Sequence, residues 1–356
     1  MVKAHSFIRT AIIIFTVWSM LGWTTMASAQ YGRETISIIG SSTVYPFARI
    51  VAETFARETA YPTPTIEPTG SGGGFRLFCA GIGVEHPDLC NASRRIRADE
   101  FAICEQNGVG PIVEIKIGYD GVVMANNRQA PAFHLTRGEI FLALAKAVPD
   151  PAGTRSIVAN PYPTWRAIDP RLPDLPIRVL GPSTTSGTRD AFMQLAMEAG
   201  ADQIGGHAAS RPSAGRLDAA RGRSLRTDGA YVEEGEDDPL IVHKLINHPD
   251  ALGIFGFGML VQNADHIKGA SIDGVMPTAA GIAAGRYPLS RPLYIYVKSA
   301  HVDRIPGIRE FLTLFTSEAM WGPNGALPAQ GLVPMAATER ERQREIARRL
   351  TPLDLH

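Results

Sequence analysis

Three short loops rich in serine, threonine and glycine occur in this 356-residue chain, and each joins a short apolar run to a helical pattern. The loops cover residues 40–46, 70–74 and 181–188. Strands that alternate with helices in this way predict an α/β architecture, in which helices cover a sheet. No internal repeat is visible.

The positions of the apolar residues give the expected elements. We predict strands at 35–39, 65–68, 113–124, 177–180, 252–257 and 293–297. We predict helices at 46–58, from 74 onwards, and at 137–147, 188–199, 240–247 and 308–315. The segment 200–239 is rich in glycine, arginine and aspartate and poor in large apolar residues, so we expect a long surface excursion there.

Each serine- and glycine-rich loop ends where a helix begins, and there the backbone N–H groups are unpaired and carry a partial positive charge. Glycine lets an anion approach the backbone closely, and serine and threonine add hydroxyl donors that rotate. Serine and threonine also cap helices in most proteins, which explains any single loop. Three loops of this composition favour instead a binding site for a small tetrahedral oxyanion.

A fourth motif, residues 91–95, contains Ser93, Arg94 and Arg95. The planar guanidinium group donates two parallel hydrogen bonds and stays charged, which suits a tetrahedral oxyanion. The alternative for both arginines is a solvated surface charge. We favour that alternative for Arg95, and for Arg94 the residues alone leave the choice open.

The N-terminus has the order of a secretory signal peptide. Lys3 and Arg9 precede an apolar run, and Ala27-Ser28-Ala29 supplies the small residues of a cleavage site. The run is shorter than the roughly 20 residues of a membrane-spanning helix, so an uncleaved anchor is the weaker alternative. We predict a signal peptide at 1–29, cleaved after Ala29.

The charge and the length limit the classes of partner and of fold. The chain has 35 basic and 35 acidic residues, and removal of the signal peptide makes it slightly acidic. A near-neutral protein is a poor partner for nucleic acid or an anionic membrane, because both require a basic surface. The length that remains exceeds what one hydrophobic core organises, so we expect two domains or lobes.

The sequence contains no recognisable catalytic or metal-binding motif. It contains no GxxxxGK[ST], HExxH or GxSxG pattern and no GxGxxG of the right spacing. His243 and His248 are five residues apart, a spacing that does not place both on one helical face. We therefore expect no enzyme activity, no metal and no cofactor.

The ordered set of motifs resembles the periplasmic phosphate-binding proteins that serve phosphate ABC transporters. The motifs are residues 40–46, 69–75, 78–81, 91–94, 119–121, 186–188 and 287–292. The resemblance covers nearly the whole chain after the signal peptide. It implies an α/β fold of the type II periplasmic binding protein class, with two lobes and the ligand in the cleft between them.

This resemblance also implies where the lobes divide. We expect residues 31–122 and 285–356 to form lobe 1 and residues 123–284 to form lobe 2. The two crossover strands then lie near Val122 and near Ala284. The lobes are expected to close around the ligand by a hinge motion.

The resemblance further implies the residues that bind the ligand. The first loop matches less closely than the others, because the threonine and the aromatic residue of the better-studied members fall on Val44 and Tyr45. The implied ligand-binding residues are Ser42, Thr43, the N–H groups of Val44 and Tyr45, Ser71, Gly72, Ser93, Arg94, Ser186, Gly187 and Thr188.

Two positions depart from the better-studied family members. The aspartate that accepts the phosphate proton is replaced by Arg94, and an arginine four residues before Ser186 is replaced by Pro182. A subset of the family looks like this, so we interpret Arg94 as a replacement cation.

The loss of that aspartate leaves the acceptor of the ligand proton open. A carboxylate that faces the ligand rejects an unprotonated dianion such as sulfate, because two negative groups would meet without a proton between them. The candidates are Asp120 and Asp228, and Arg226 is placed to hold Asp228. Each aspartate is alternatively a turn or cap residue.

The chain has three cysteines, Cys79, Cys90 and Cys104. Thiols of exported proteins tend to pair, so the count predicts one disulfide and one free thiol without fixing which. The family resemblance implies the pair Cys79–Cys104 and a buried thiol at Cys90.

Together these features predict a monomeric periplasmic protein that binds inorganic phosphate and delivers it to an ABC permease with its ATPase subunit. No nucleic acid partner is expected. The alternatives are a binding protein for sulfate or arsenate, a secreted phosphatase, and a binding module that signals phosphate scarcity without transport.

Overall fold

The computed structural model describes residues 33–154, 156–184, 186–208, 224–235 and 238–355. The predicted signal peptide, 1–29, and its cleavage after Ala29 lie outside these residues. In the described part of the chain, no helix is both long and apolar enough to cross a membrane.

The chain alternates between strands and helices. The strands are β1 (Ser37–Gly40), β2 (Thr65–Pro68), β3 (Leu89–Ala92), β4 (Ile112–Asn127), β5 (His134–Leu135), β6 (Ala147–Pro149), β7 (Ile157–Ala159), β8 (Val179–Gly181), β9 (Tyr231–Glu233), β10 (Leu252–Gly256), β11 (Ile267–Gly269), β12 (Ser271–Ile272) and β13 (Ser290–Lys298).

The helices lie between the strands along the chain and after the last of them. They are α1 (Tyr45–Glu58), α2 (Gly70–Phe78), α3 (Ala98–Gln106), α4 (Arg137–Leu144), α5 (Trp165–Ile168), α6 (Gly187–Phe192), α7 (Ala199–Ala208), α8 (Asp238–Asn247), α9 (Phe257–Gln262), α10 (Ala279–Ala283), α11 (Ser299–Val302), α12 (Ile308–Phe315), α13 (Glu318–Trp321), α14 (Ala326–Ala329) and α15 (Ala337–Arg349). A π-helical segment, Met193–Glu198, joins α6 to α7 without a break.

One long strand, β4, connects the two halves of the main sheet. The strand order is β2-β1-β3-β13-β4-β10-β8-β9, and β11 also pairs with β4. The first half of β4 pairs with β13 through residues 112–121, and its second half pairs with β10 through residues 122–126. The predicted two-lobed α/β fold is confirmed, because the sheet has two groups of strands that share one strand.

Two large hydrophobic cores lie on either side of this shared strand. Ile115 and Ile117 of β4 belong to the core that contains Phe55 and Phe311. From Val122 onwards, β4 belongs to the core that contains Trp165, Phe192 and Phe255. The strand therefore changes core between residues 117 and 122. The lobe bounds that we expected, 31–122 with 285–356 and 123–284, stay predictions.

The second helix begins earlier than the sequence indicated. Residues 70–74 were expected to form a turn before a helix from 74, but they form the first turns of α2, which begins at Gly70. A methyl group on Gly74 would lie 2.6 Å from Gly40 Cα and 2.9 Å from Cys90 Sγ. Glycine is required here because α2 packs directly on the ends of β1 and β3.

The surface excursion that we predicted at 200–239 is wrong for the described residues 200–208 and 231–233, and residues 209–223 and 236–237 of this segment lie outside the described residues. Residues 199–208 form α7, which packs closely on α4: a methyl group on Gly200 would overlap the carbonyl oxygen of Arg137. Residues 231–233 form β9 at the edge of the sheet, and Tyr231 is buried. The prediction failed because small residues pack a helix as well as large apolar ones do when two backbones approach closely.

The cysteine pairing is confirmed. Cys79 at the end of α2 and Cys104 in α3 form the disulfide, and they are separated by 25 residues in the sequence. Cys90 in β3 is a buried free thiol, and burial raises its pKa, so it stays protonated. The disulfide ties together the two helices that flank β3, the strand that leads to Ser93 and Arg94.

We predict that the double substitution Cys79→Ala, Cys104→Ala lowers the free energy of unfolding by about 3 kcal/mol, because a loop of this length is no longer closed in the unfolded chain. Urea unfolding measures the change. In denaturant without reductant, a thiol reagent should modify Cys90 alone, and reduction should expose all the cysteines. Modification of all of them before reduction would contradict the pairing.

Candidate functional site

The predicted binding loops of lobe 1 start from one edge of the sheet. Strands β1, β2 and β3 are parallel, and Gly40 pairs with both Pro68 and Asn91 in the register. The carboxyl ends of all three strands therefore meet at the same edge. In open α/β sheets this edge is the usual place for a ligand.

The first loop folds into a tight turn ahead of α1. The N–H of Ser41 donates to Asn91 O at 2.8 Å, and the N–H of Tyr45 donates to Ser41 O at 3.0 Å. Tyr45 N–H is thus engaged within the turn, which is not what the resemblance implied. Among the described residues, no hydrogen bond engages the N–H groups of Ser42, Thr43 and Val44. Successive free N–H groups of this kind form a concave site for an anion.

The second loop and the fourth motif are joined through two serines. Ser71, in the first turn of α2, accepts a hydrogen bond from the N–H of Ser93 at 3.0 Å, and the two hydroxyl oxygens are 3.1 Å apart. Gly72 follows at the surface of the same turn. The structure therefore brings Ser71, Gly72, Ser93 and Arg94 together.

Arg94 does not extend into solvent. Its Nη1 and Nη2 donate to the two carboxylate oxygens of Glu100 at 2.8 Å and 2.7 Å. This charged pair raises the pKa of Arg94. Burial by itself would raise the pKa of Glu100, but the hydrogen bonds from Arg94 and Arg97 outweigh it and lower that pKa. Both groups therefore stay charged near neutral pH.

The third loop contains the predicted ligand-binding residues of lobe 2. It follows β8, and the Ser186 hydroxyl caps α6 by accepting a hydrogen bond from the N–H of Thr188 at 3.2 Å. Gly187 is buried against the first loop: a methyl group on it would overlap the backbone nitrogen of Thr43. The Thr43 hydroxyl donates to Gly187 O at 3.1 Å. The two lobes are thus in direct contact at the predicted ligand-binding residues.

Arg291, in β13, lies at this contact. Its Nη2 donates to the Thr43 hydroxyl oxygen at 2.6 Å and to Gly187 O at 3.3 Å. Its Nε is buried and has no hydrogen-bond partner among the described residues, and it lies 3.7 Å from Asp120 Oδ2. Burial lowers the pKa of Arg291, while Asp120 and Asp190 raise it. The guanidinium group stays charged, since arginine does not lose its proton in proteins.

The Asp120 carboxylate lies beside the Arg291 guanidinium group. It pairs directly with Arg291 across β4 and β13, so both side chains lie on one face of the sheet. Its side chain is 14 % exposed. Burial raises the pKa of the Asp120 carboxyl, and Arg291 and the N–H of Gly121 act in the opposite direction.

Sequence reasoning gave Arg291 no role, although it stands inside a motif that carried the family resemblance. A signal was available: a charged residue in a strand whose other residues, at 293–297, are almost all apolar and buried. An arginine in such a place needs a partner or a ligand. Only the pairing of β13 with β4 shows that it reaches the first loop and Asp120.

Asp228 lies elsewhere. It forms an ion pair with Arg226 at 2.5 Å, as the sequence indicated, but its side chain is 54 % exposed. It precedes β9, which runs parallel to β8, whereas the third loop follows β8. Asp228 is therefore at the opposite edge of the sheet from Ser186, and the structure removes it as a candidate acceptor.

The structure also describes the position, four residues before Ser186, at which better-studied family members have an arginine. Pro182 stands there, and its carbonyl oxygen accepts from Arg189 Nη1 at 3.2 Å. The Arg189 guanidinium group lies 4.4 Å from the centre of the Tyr231 ring, inside lobe 2. Arg189 is thus engaged within lobe 2 and does not repeat the contacts of Arg291 with Thr43 and Gly187.

The arrangement suits a small anion. Free N–H groups of the first loop and Arg291 lie at the contact between the lobes, and Ser71, Ser93 and Arg94 lie together at the same edge of the sheet. Each arginine has a carboxylate partner, so the positive charge of these two groups is partly neutralised. Within the described residues, no group of three or more His, Cys, Asp or Glu side chains is placed to hold a metal ion.

The fold and this site define a two-lobed binding protein with its site between the lobes. A family model described as a PBP superfamily domain matches residues 25–319. SphX of Synechocystis is 30 % identical over 292 residues, which are 80 % of this chain and 75 % of the relative. The chain belongs to the PBP superfamily of periplasmic binding proteins.

Other relatives and solved structures agree with this assignment. The phosphate-binding protein PstS of Staphylococcus saprophyticus is 26 % identical, with 88 % of this chain and 85 % of the relative covered. The crystal structure of a possible phosphate binding protein from Planctomyces limnophilus has a TM-score of 0.67 and 27 % identity, and the match covers 89 % of this chain and 98 % of that one. A phosphate transport receptor from Vibrio cholerae, at 21 % identity, shares the fold with a TM-score of 0.55 over 80 % of this chain and 94 % of that one.

We predict that Thr43→Val lowers the free energy of unfolding by about 1–3 kcal/mol, because it leaves a buried donor of Arg291 without its partner. Thr43→Ser keeps the hydroxyl group and is the matched control, with a smaller loss expected. Urea unfolding of the three proteins gives the values. Equal losses for the two variants would show that the hydroxyl contact between the lobes contributes nothing.

Proposed function

We propose that this protein binds inorganic phosphate in the periplasm and delivers it to an ABC importer. The observation that carries the proposal is the Arg291 guanidinium group, which is buried between Thr43, Gly187 and Asp120 and whose Nε has no hydrogen-bond partner among the described residues. Burial of such a donor is unfavourable unless something binds it. Relatives that are named phosphate-binding proteins support phosphate as the ligand.

The proposed phosphate site combines donors from both lobes. Lobe 1 contributes the N–H groups of the first loop and the hydroxyls that lie around Ser71. Lobe 2 contributes the start of α6, and Arg291 supplies the charge between them. The proposed ligand-binding residues are Ser42, Thr43, Val44, Ser71, Gly72, Ser93, Arg94, Ser186, Gly187, Thr188 and Arg291.

Asp120 is the proposed acceptor of the phosphate proton. It is largely buried and faces Arg291 at 3.7 Å, so an ionised Asp120 lies next to any anion bound there. Phosphate carries a proton at neutral pH and donates it in a hydrogen bond to the carboxylate. Sulfate carries none, so its oxygens repel the carboxylate. On this basis phosphate is preferred over sulfate.

The way in which the lobes are connected supports the proposed transport role. The peptide chain passes between the two cores in β4, between residues 117 and 122, and again at the start of β13, between Leu289 and Leu293. Two narrow connections permit hinge closure around a ligand. We propose that 31–122 with 285–356 and 123–284 are the moving bodies, and that an ABC permease with its ATPase binds the closed form of the monomeric protein. Export through the predicted signal peptide places it in the periplasm.

Titration calorimetry of the protein without its signal peptide tests the proposal. We expect one phosphate ion per chain to bind at micromolar concentration or below, without added metal, and sulfate to bind far more weakly. Arsenate, which has the shape and charge of phosphate, should bind nearly as well. If none of the three oxyanions gives a binding signal, the proposed function is wrong.

The variant Gly187→Ala tests whether phosphate binds in the cleft between the lobes. A methyl group there overlaps the Thr43 backbone, so the lobes cannot close and phosphate binding should be lost. Gly256→Ala is the matched control, because a methyl group at Gly256 has no neighbour within 4 Å. Equal phosphate binding by the two variants would place the ligand elsewhere.

We predict that Asp120→Asn weakens phosphate binding and reduces the preference for phosphate over sulfate by at least about tenfold, since a neutral amide no longer repels the dianion. Because burial raises the pKa of Asp120, the preference of the parent should also fall as the pH is lowered and the carboxyl gains a proton. Asp228→Asn, at the opposite edge of the sheet, is the control. An unchanged preference in Asp120→Asn would assign the selectivity to another group.

A further inference from the structure

The Arg94 guanidinium group has contacts along one edge, with Glu100, and over one face, with the Phe75 ring. Glu100 accepts from both of its terminal nitrogens, and the guanidinium carbon lies 5.3 Å from the centre of the Phe75 ring. Arg94 Nη1 also donates to Arg95 O at 3.2 Å. Most of the freedom of a long side chain has therefore been removed.

Glu100 is itself fixed by the start of α3. Its Oε2 accepts from the backbone N–H of Arg97 at 3.0 Å, and its side chain is 10 % exposed. A carboxylate tied to the backbone in this way cannot follow a mobile arginine. The arginine instead takes the position that the carboxylate sets.

The edge of the Arg94 guanidinium group next to the one that Glu100 occupies has free donors. Nε and Nη2 lie along this edge, and no hydrogen bond within the described part of the chain engages Nε. Nη2 has a second hydrogen beyond the one given to Glu100. A methyl group on Gly72 would lie 3.7 Å from Nη2, so this nitrogen is beside the first turn of α2. The free edge therefore adjoins Ser71 and Gly72.

We propose that Glu100 is a positioning residue for the anion site: it holds Arg94 so that the Nε and Nη2 donors face the ligand. The inference rests on the proposed function and adds a residue from outside the binding loops. A planar fork of two donors matches two oxygens of phosphate. The binding protein then loses less side-chain freedom when the ligand arrives.

Glu100 also has an opposing effect, because its negative charge neutralises part of the Arg94 charge. If neutralisation dominated, removal of the Glu100 charge would tighten anion binding. If positioning dominates, removal weakens it. The bidentate geometry and the fixed carboxylate favour positioning, since a preorganised fork binds a tetrahedral anion better than a mobile charge does.

Calorimetric titration with inorganic phosphate tests this in the full protein without its signal peptide. We expect Glu100→Gln to raise the phosphate Kd about tenfold, the effect of one charge-assisted hydrogen bond. In an Arg94→Ala background, the same substitution should change the Kd little, because Glu100 acts through Arg94. Glu100→Asp, which keeps the charge but shortens the reach, should also weaken binding and is the second test if Glu100→Gln does not fold.

Glu114→Gln is the matched control. Glu114 pairs with Arg95 at 2.9 Å and accepts from the Tyr296 hydroxyl at 2.6 Å, a bond that glutamine can also accept. The Arg95 side chain is 51 % exposed, so this substitution alters an arginine–glutamate pair that does not include Arg94. Its phosphate Kd should equal that of the parent.

Three results would overturn the proposal. Unchanged or tighter phosphate binding by Glu100→Gln would show that Arg94 needs no positioning. A tenfold loss that persists in the Arg94→Ala background would show that Glu100 serves only the start of α3. Failure of the parent to bind phosphate would overturn the proposed function together with this inference, whereas the first two results leave that function intact.

Discussion

The structure depends on a buried positive charge where the two lobes meet. Removing a guanidinium group from water costs several kcal/mol unless it is paired and hydrogen-bonded. Hydrogen bonds from Arg291 to Thr43 of the first loop and Gly187 of lobe 2 offset part of this cost, and so does the ion pair with Asp120 of the shared strand. Thr43 and Asp120 lie on the same side as Arg291, and Gly187 comes from lobe 2, so contact between the lobes adds a hydrogen bond to this buried charge.

The backbone brings these groups within reach. Parallel strands β1, β2 and β3 end at one edge, and the loop after β8 meets the loop after β1 from the other lobe. Glycine is required at two of the contacts. Gly74 lets α2 approach the end of β1, and Gly187 lets the lobe 2 loop touch the backbone of Thr43. A larger residue at either place would separate groups that act together.

The parts of the site that were predictable from sequence are local ones. A serine at the start of a helix and an arginine next to a serine depend on neighbours within a few residues, and Ser71, Ser93 and Arg94 do lie together. The cysteine pairing was predictable only through the family resemblance, because spacing alone allowed each of the possible pairs. The early start of α2 was missed because glycine lowers helix propensity, while packing on Gly40 and Cys90 outweighs that preference.

The failures concern residues that meet across long distances in the chain. Asp120 and Asp228 were equivalent candidates in the sequence, and only the strand order separates them, since Asp120 faces Arg291 and Asp228 lies at the opposite edge. Arg291 received no role because its partner Thr43 is 248 residues away. Tyr45 is a local exception: the family resemblance assigned its N–H to the ligand, whereas it donates to Ser41 O within the turn.

The sequence by itself determined the α/β class, the loops of small donors at the starts of helices and the lack of recognisable catalytic motifs. These follow from short-range periodicity and from the chemistry of single residues. The tertiary structure decided which charges are buried together, which carboxylate faces the site and which arginine bridges the lobes. Those properties depend on strand register and on the contact between the two lobes, and both are set by packing between segments far apart in the chain.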